Sequence, residues 1–209
     1  MFKTKIKNSL TSLFRSLNGL RRPSKQANMR KLQERGETPE SFTFRDATVD
    51  DIPQLAKVHV KAWQDTYRVL RPPTYQIREY QWRKAFTEEN DGRWFCILVV
   101  NKKNEVIGFA KGKTYKHNDL PEFSGELNKI YLLFDYHRIG LGKKLVGHVA
   151  RRFLSMGINN MVLFGIAQNP SCEFHEAIGG ERLYAKNGEF HGGYCWRDLK
   201  KLAEICPVN

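Results

Sequence analysis

The chain has 209 residues, with 35 Lys and Arg against 22 Asp and Glu and a formal net charge of +13. A hydrophobic fraction of 41% with 12% aromatics excludes a disordered chain, and no window approaches the roughly 20 apolar residues that a membrane-spanning helix needs. Cys96, Cys172, Cys195 and Cys206 form no CxxC pair, so neither a zinc ribbon nor a disulfide scaffold is expected, and a reducing, cytoplasmic compartment without a bound metal is. Residues 1–41 hold ten Lys and Arg and three Glu, which makes them a basic extension of +7. Charge of that size points to an anionic partner of some kind, whether nucleic acid, membrane surface or phosphorylated cofactor.

Within that extension Ile6, Leu10, Leu13, Phe14, Leu17 and Leu20 recur at helical spacing, which predicts a short amphipathic helix. Residues 24–41 are polar and read as a linker or loose helix, so the domain is expected to run from 42 to 209 and to keep its cofactor site when 1–41 are removed. A first strand is predicted at Phe42, Phe44 and Ala47. Thr48, Asp50, Asp51 and Pro53 then start a long amphipathic helix whose apolar face includes Ile52, Leu55, Ala56, His59, Trp63, Tyr67 and Leu70, stopped at Pro72-Pro73. A second helix is predicted over residues 75–86. Residues 94–100 and 106–110 read as a hairpin, and residues 126–133 as a further strand. Leu141, Leu145, Val149, Phe153 and Met156 mark the core face of the next helix, stopped by Gly157. Residues 161–167 predict a strand, Asn169-Pro170 opens a short helix ending at Gly179-Gly180, and two strands follow around Leu183 and Tyr194-Cys195-Trp196. The fold class expected is α/β, with a mixed, mostly antiparallel central sheet flanked by helices.

The chemistry concentrates where strand 126–133 runs into Gly140-Leu141-Gly142 at the start of a helix. Unpaired N–H groups at a helix N-terminus, with glycines that permit close approach, bind phosphate oxygens. A dinucleotide fold is excluded because no third glycine follows at the required spacing. A Walker A loop is excluded because Lys143 lacks its six-residue glycine frame. The segment His137-Arg138-Ile139-Gly140-Leu141-Gly142 resembles the Gln/Arg-x-x-Gly-x-Gly/Ala loop of the GNAT acyltransferase superfamily, which holds the acetyl-CoA pyrophosphate, with His137 in place of Gln or Arg. Asn169-Pro170-Ser171-Cys172-Glu173-Phe174-His175-Glu176-Ala177-Ile178-Gly179-Gly180 is similar to the family's Asn-Pro-x-x-x-Phe-Tyr-Glu-x-x-Gly-Gly segment, with His175 in place of Tyr. Trp63 and Tyr67, and Tyr194 to Leu199, add further likeness, and the resemblance covers about residues 42–199.

The resemblance implies a GNAT-like fold, acetyl-CoA as cofactor and direct transfer of its acetyl group to a small-molecule or peptide amine. It assigns His137, Arg138, Ile139, Gly140, Leu141, Gly142, Lys143 and Asn169 to the cofactor, with the backbone N–H of Leu132 or Leu133 polarising the thioester. Trp63 and Tyr67 are the candidate acceptor contacts, with core packing as the alternative. Glu126 opens the strand, fourteen positions before Gly140, and is the candidate general base. His175 is the candidate acid, since the family's Tyr there is taken to protonate the departing thiolate. Two other classes stay open on the sequence: a CoA-binding fold that does not turn over, and a nucleic-acid module, which lacks any RNP, KH or helix-turn-helix signature. A homodimer is left open, no chemistry is assigned to His59, His117, His148 or His191, and the acceptor is not legible.

Overall fold

The computed structural model of the chain describes residues 24–67, 73–87 and 91–209. The amphipathic helix expected over residues 6–20 lies outside them, as does Leu70; the long helix expected to reach Leu70 ends at Thr66, with Tyr67 as its C-cap. Seven strands form one sheet in the order β1-β2-β3-β4-β5-β7-β6. They are β1 (Thr43–Asp46), β2 (Trp94–Val100), β3 (Val106–Thr114), β4 (Gly125–Leu132), β5 (Met161–Phe164), β6 (Glu181–Tyr184) and β7 (Phe190–Trp196). All pairings are antiparallel except β4 with β5. The expected mixed, mostly antiparallel sheet is present.

Both faces of the sheet are covered. Phe95, Ile97 and Val99 of β2 face α4 (Leu141–Ser155) and α6 (Leu199–Ile205), in a cluster with Leu145, Val149, Phe153 and Leu202. The alternate residues Cys96, Leu98 and Val100 face α2 (Ile52–Thr66) and α3 (Tyr75–Thr87), where they meet Leu55, Ala56 and Trp82. Burial on both sides is why β2 reads as an unbroken apolar run. Gly147 of α4 lies so close to α6 that a Cβ there would stand 2.0 Å from the carbonyl oxygen of Cys206. Arg151 completes that junction by donating to the carbonyls of Ala203 and Cys206, which satisfies acceptors that a helix end leaves open.

Four expectations are corrected. Of the linker or loose helix expected over residues 24–41 the helix is present, and it is packed rather than loose: α1 (Lys25–Glu34) begins at Ser24, whose hydroxyl accepts from the Ala27 N–H, and buries Leu32 completely in the core. Its polar composition reflects the one narrow face it buries. β5 ends at Phe164, three residues early, and Met156 is exposed because α4 stops at Ser155. α6 was not foreseen; Asp198 caps it by accepting from the N–H groups of Lys200 and Lys201.

Candidate active site

β4 and β5 stay paired only at Gly125 with Met161 and Glu126 with Val162. Past that point the strands part, and the edge of β4 from Leu127 to Leu132 faces an opening. The N–H of Leu133 donates to the carbonyl of Ile107 on β3, so it cannot polarise a thioester. Strand alternation turns the neighbouring Leu132 peptide groups the other way, onto the open edge. There the Leu132 carbonyl is met by Nε2 of His137 at 2.7 Å. The first position of the glycine loop therefore spends its side chain on the strand, and burial pushes its pKa down. A neutral His137 that donates through Nε2 fits this contact.

Beyond His137 the backbone takes left-handed values at Arg138 (φ 66) and at Gly140 (φ 96), which is the N-cap of α4. Nothing lies within 4 Å of where a Gly140 Cβ would stand. The bend turns the first N–H groups of α4 outward, no acidic side chain sits in its first turn, Ile139 and Leu141 anchor the loop in the core, and Lys143 is exposed. The residues present thus fit a pyrophosphate held by backbone groups and a helix N-terminus.

α1 holds this loop in place. Nδ2 of Asn28 donates to the carbonyls of Phe134 (3.0 Å) and His137 (2.9 Å), and Lys31 and Arg35 both reach Asp135. Asn28→Ala would take a donor from both half-buried carbonyls, leaving that of Phe134 with its bond from the His137 N–H alone, which costs about 1–3 kcal/mol. Cofactor affinity, read by calorimetry, is expected to fall several-fold with the domain still folded. Removal of residues 1–41 should weaken binding further, against the expectation from sequence.

Three of the candidate residues meet in one hydrogen-bonded chain. Asn169 donates through Nδ2 to the Tyr67 hydroxyl at 3.0 Å, and its Oδ1 accepts from Ser171 N–H (2.9 Å) and Oγ (2.8 Å). Ser171 Oγ lies 3.4 Å from Nε2 of His175. The chain ties the end of α2 to the start of α5 (Cys172–Ala177). Trp63 packs against Tyr67 with the rings tilted, 5.0 Å between centroids, so its ring lies against the chain. Ser171 escaped notice because it carries no signal beyond its place after Asn-Pro.

His175 is buried among Phe174, Tyr194 and Trp196, with Nδ1 unpartnered. Burial pushes its pKa down to about 4, which favours the neutral ring over the charged acid form at neutral pH. The same shift has a consequence for stability. A histidine depressed from about 6.5 to about 4 stabilises the fold fully above pH 6.5 and loses that contribution as pH falls to 4, worth about 3 kcal/mol. His175→Phe is expected to flatten the acid limb of melting temperature against pH over this window and to leave kcat within a few-fold. A large loss of kcat would return the ring to the chemistry.

Glu126 stands at the point where the strands part. Its carboxylate is 3.1 Å from Lys113 Nζ and accepts from Asn128 Nδ2 at 2.6 Å. It lines an open cavity of about 760 Å³ with Arg93, Trp94, Lys111, Lys113 and Phe164.

A parted parallel pair, a helix start free of acidic side chains at one end and a carboxylate beside a groove at the other fit a transferase that takes an acyl group from a coenzyme A thioester. The chain matches the acetyltransferase (GNAT) family over residues 57–179 and belongs to it. The acyltransferase expectation stands, and with it acetyl-CoA as the acyl donor. An uncharacterized N-acetyltransferase of Bacillus subtilis, YuaI, is 33% identical over 171 residues, covering 78% of this chain and 97% of that protein. A phosphinothricin N-acetyltransferase of Streptomyces viridochromogenes is 28% identical over 120 residues, covering 54% of this chain and 65% of that protein. The crystal structure of the PaiA N-acetyltransferase of Thermoplasma acidophilum, in complex with coenzyme A, shares the fold at a TM-score of 0.57 and 19% identity, covering 74% of this chain and 98% of that one.

Proposed function

We propose that this protein acetylates a primary amine of a small-molecule or peptide acceptor by direct transfer, with Glu126 as the general base. The observation that carries the reading is the carboxylate at the fork of β4 and β5, on the rim of a groove wide enough for an acceptor. An alkyl ammonium with a pKa near 10.4 must lose a proton before it can attack, which costs about 4–5 kcal/mol at pH 7. Glu126, held by Asn128 and Lys113, takes that proton as the amine attacks. Acetyl-CoA supplies an acyl group already activated as a thioester. Gly140, Leu141, Gly142 and Lys143 hold its pyrophosphate, and the open-edge peptide groups of β4, including that of Leu132, hold its arm. Tyr67 and Asn169 fix the opposite wall. The Tyr67 phenol, its pKa raised chiefly by burial, stays protonated across the working range and is the hydroxyl of the chain best suited to donate a proton.

Relatives named for N-acetylation support the reading, the phosphinothricin enzyme among them. All four cysteines are free, and among the described residues no helix is long and apolar enough to cross a membrane, which suits a cytoplasmic reaction. The test is thiol release from acetyl-CoA across a panel of amines. Release that no amine accelerates would refute acetyl transfer to an amine.

A further inference from the structure

The face of the sheet beneath α2 and α3 carries an excess of positive charge that transfer to a plain amine does not require. Lys111 of β3 and Lys129 of β4 are direct cross-strand partners, an arrangement in which like charges repel. Arg78 of α3 bears on Lys129, and both bear on His59. Glu126 is the one described carboxylate that acts on Lys129, and it is already engaged by Lys113 and Asn128. Two nitrogens here lack an acceptor, although the Arg78 guanidinium also donates through Nη1 to Gln81 at 2.8 Å. Arg78 Nε is buried with no hydrogen-bond partner, and so is Nδ1 of His59, a residue only 2% exposed. Lys129 meets the side-chain oxygen of Asn128 at 2.7 Å. A protein that gathers Arg and Lys from three elements around unpartnered N–H groups has built a receptor for an anion. Lys129 is three residues from Glu126 on the same strand, roughly 10 Å along it, so one small molecule can reach both.

We propose that the acceptor is an amine that also carries an anionic group, a carboxylate, phosphinate or phosphate, and that Lys129 and Arg78 bind that group while the amine faces Glu126. The proposal rests on the transferase reading above and deepens it. Binding of the anion relieves the repulsion between the cations, so the site discriminates against amines that lack one. The neutral ring of His59, pushed down to about 2 chiefly by burial, offers a further donor beside it.

The test pairs amines that differ in the anion: 4-aminobutyrate against butylamine, and O-phosphoethanolamine against ethanolamine. Thiol release from acetyl-CoA is followed in the wild type, Arg78→Gln, Lys129→Gln and Lys129→Arg. The anion-bearing member of at least one pair is expected to be preferred tenfold or more in kcat/KM. Arg78→Gln and Lys129→Gln should erase the preference by raising its KM, and Lys129→Arg should retain most of it. Equal use of both members, or preference for the neutral ones, overturns the proposal. A readout without turnover separates this failure from that of the transferase reading. 4-Aminobutyrate or O-phosphoethanolamine should raise the melting temperature of the wild type and not of Lys129→Gln, even if no amine is acetylated. Without added anion, Lys129→Gln should melt higher than the wild type, since it removes a repulsion. A lower melting point and no ligand-induced shift in either protein would show that the lysine is structural.

Discussion

Glu126→Gln is expected to lower kcat by about 10²–10⁴ at pH 7, the usual contribution of a positioned base. Glutamine keeps the size of the side chain and its contact with Asn128, so the groove and the cofactor loop keep their shape. What is lost is the group that accepts the proton. The pH profile distinguishes this from a loss of acceptor binding. Without the base, the rate depends on the fraction of acceptor already deprotonated, which rises tenfold per unit up to the amine's pKa near 10.4. The variant should recover steadily toward high pH, with little change in the KM for acetyl-CoA. If the same fractional loss persists at pH 10, Glu126 acts by orienting the acceptor.

Gly140→Glu should abolish cofactor binding in the accessible concentration range. Two effects add at this position. The backbone sits at φ 96, where a side chain costs about 1–2 kcal/mol, and the new carboxylate would stand in the cradle meant for phosphate oxygens. Gly140→Ala separates them: nothing lies within 4 Å of its Cβ, so it should lose stability and keep most of its affinity. Wild type at a hundred times its Kd gains about 2.7 kcal/mol from CoA, a rise of roughly 5–10 °C in Tm for a domain of this size. Gly140→Ala should show most of that rise and Gly140→Glu none. An equal rise in all three proteins would move the pyrophosphate elsewhere.

The legible parts of the site are those built from neighbours in the chain. Gly140 and Gly142 announce a strand-to-helix turn because the residues that form it are consecutive. Asn169 and Ser171 share a short turn that Asn-Pro marks. Glu126 was singled out from its place at the start of the strand, fourteen positions before Gly140. The role of each side chain was less accessible, because hydrogen-bond partners come from elsewhere. His137 occupies the loop's first position, and only its distance to the Leu132 carbonyl shows that the ring turns inward. His175 holds the place of a tyrosine, and only its burial against β7 reveals a neutral ring.

By itself the sequence determined the order of the strands and of the central helices, the strand-to-helix glycine turn and the family, since periodicity and local turn chemistry are properties of a single stretch of chain. Tertiary structure alone decided what each stretch meets. Asn28 reaches a loop more than a hundred residues away, Tyr67 finds Asn169 across a similar gap, and register sets Lys111 against Lys129. Lysines on separate strands are ordinary surface residues in a sequence pattern. They come together only when β3 and β4 align them beneath α2 and α3, where low dielectric and scarce water strengthen the interaction between like charges.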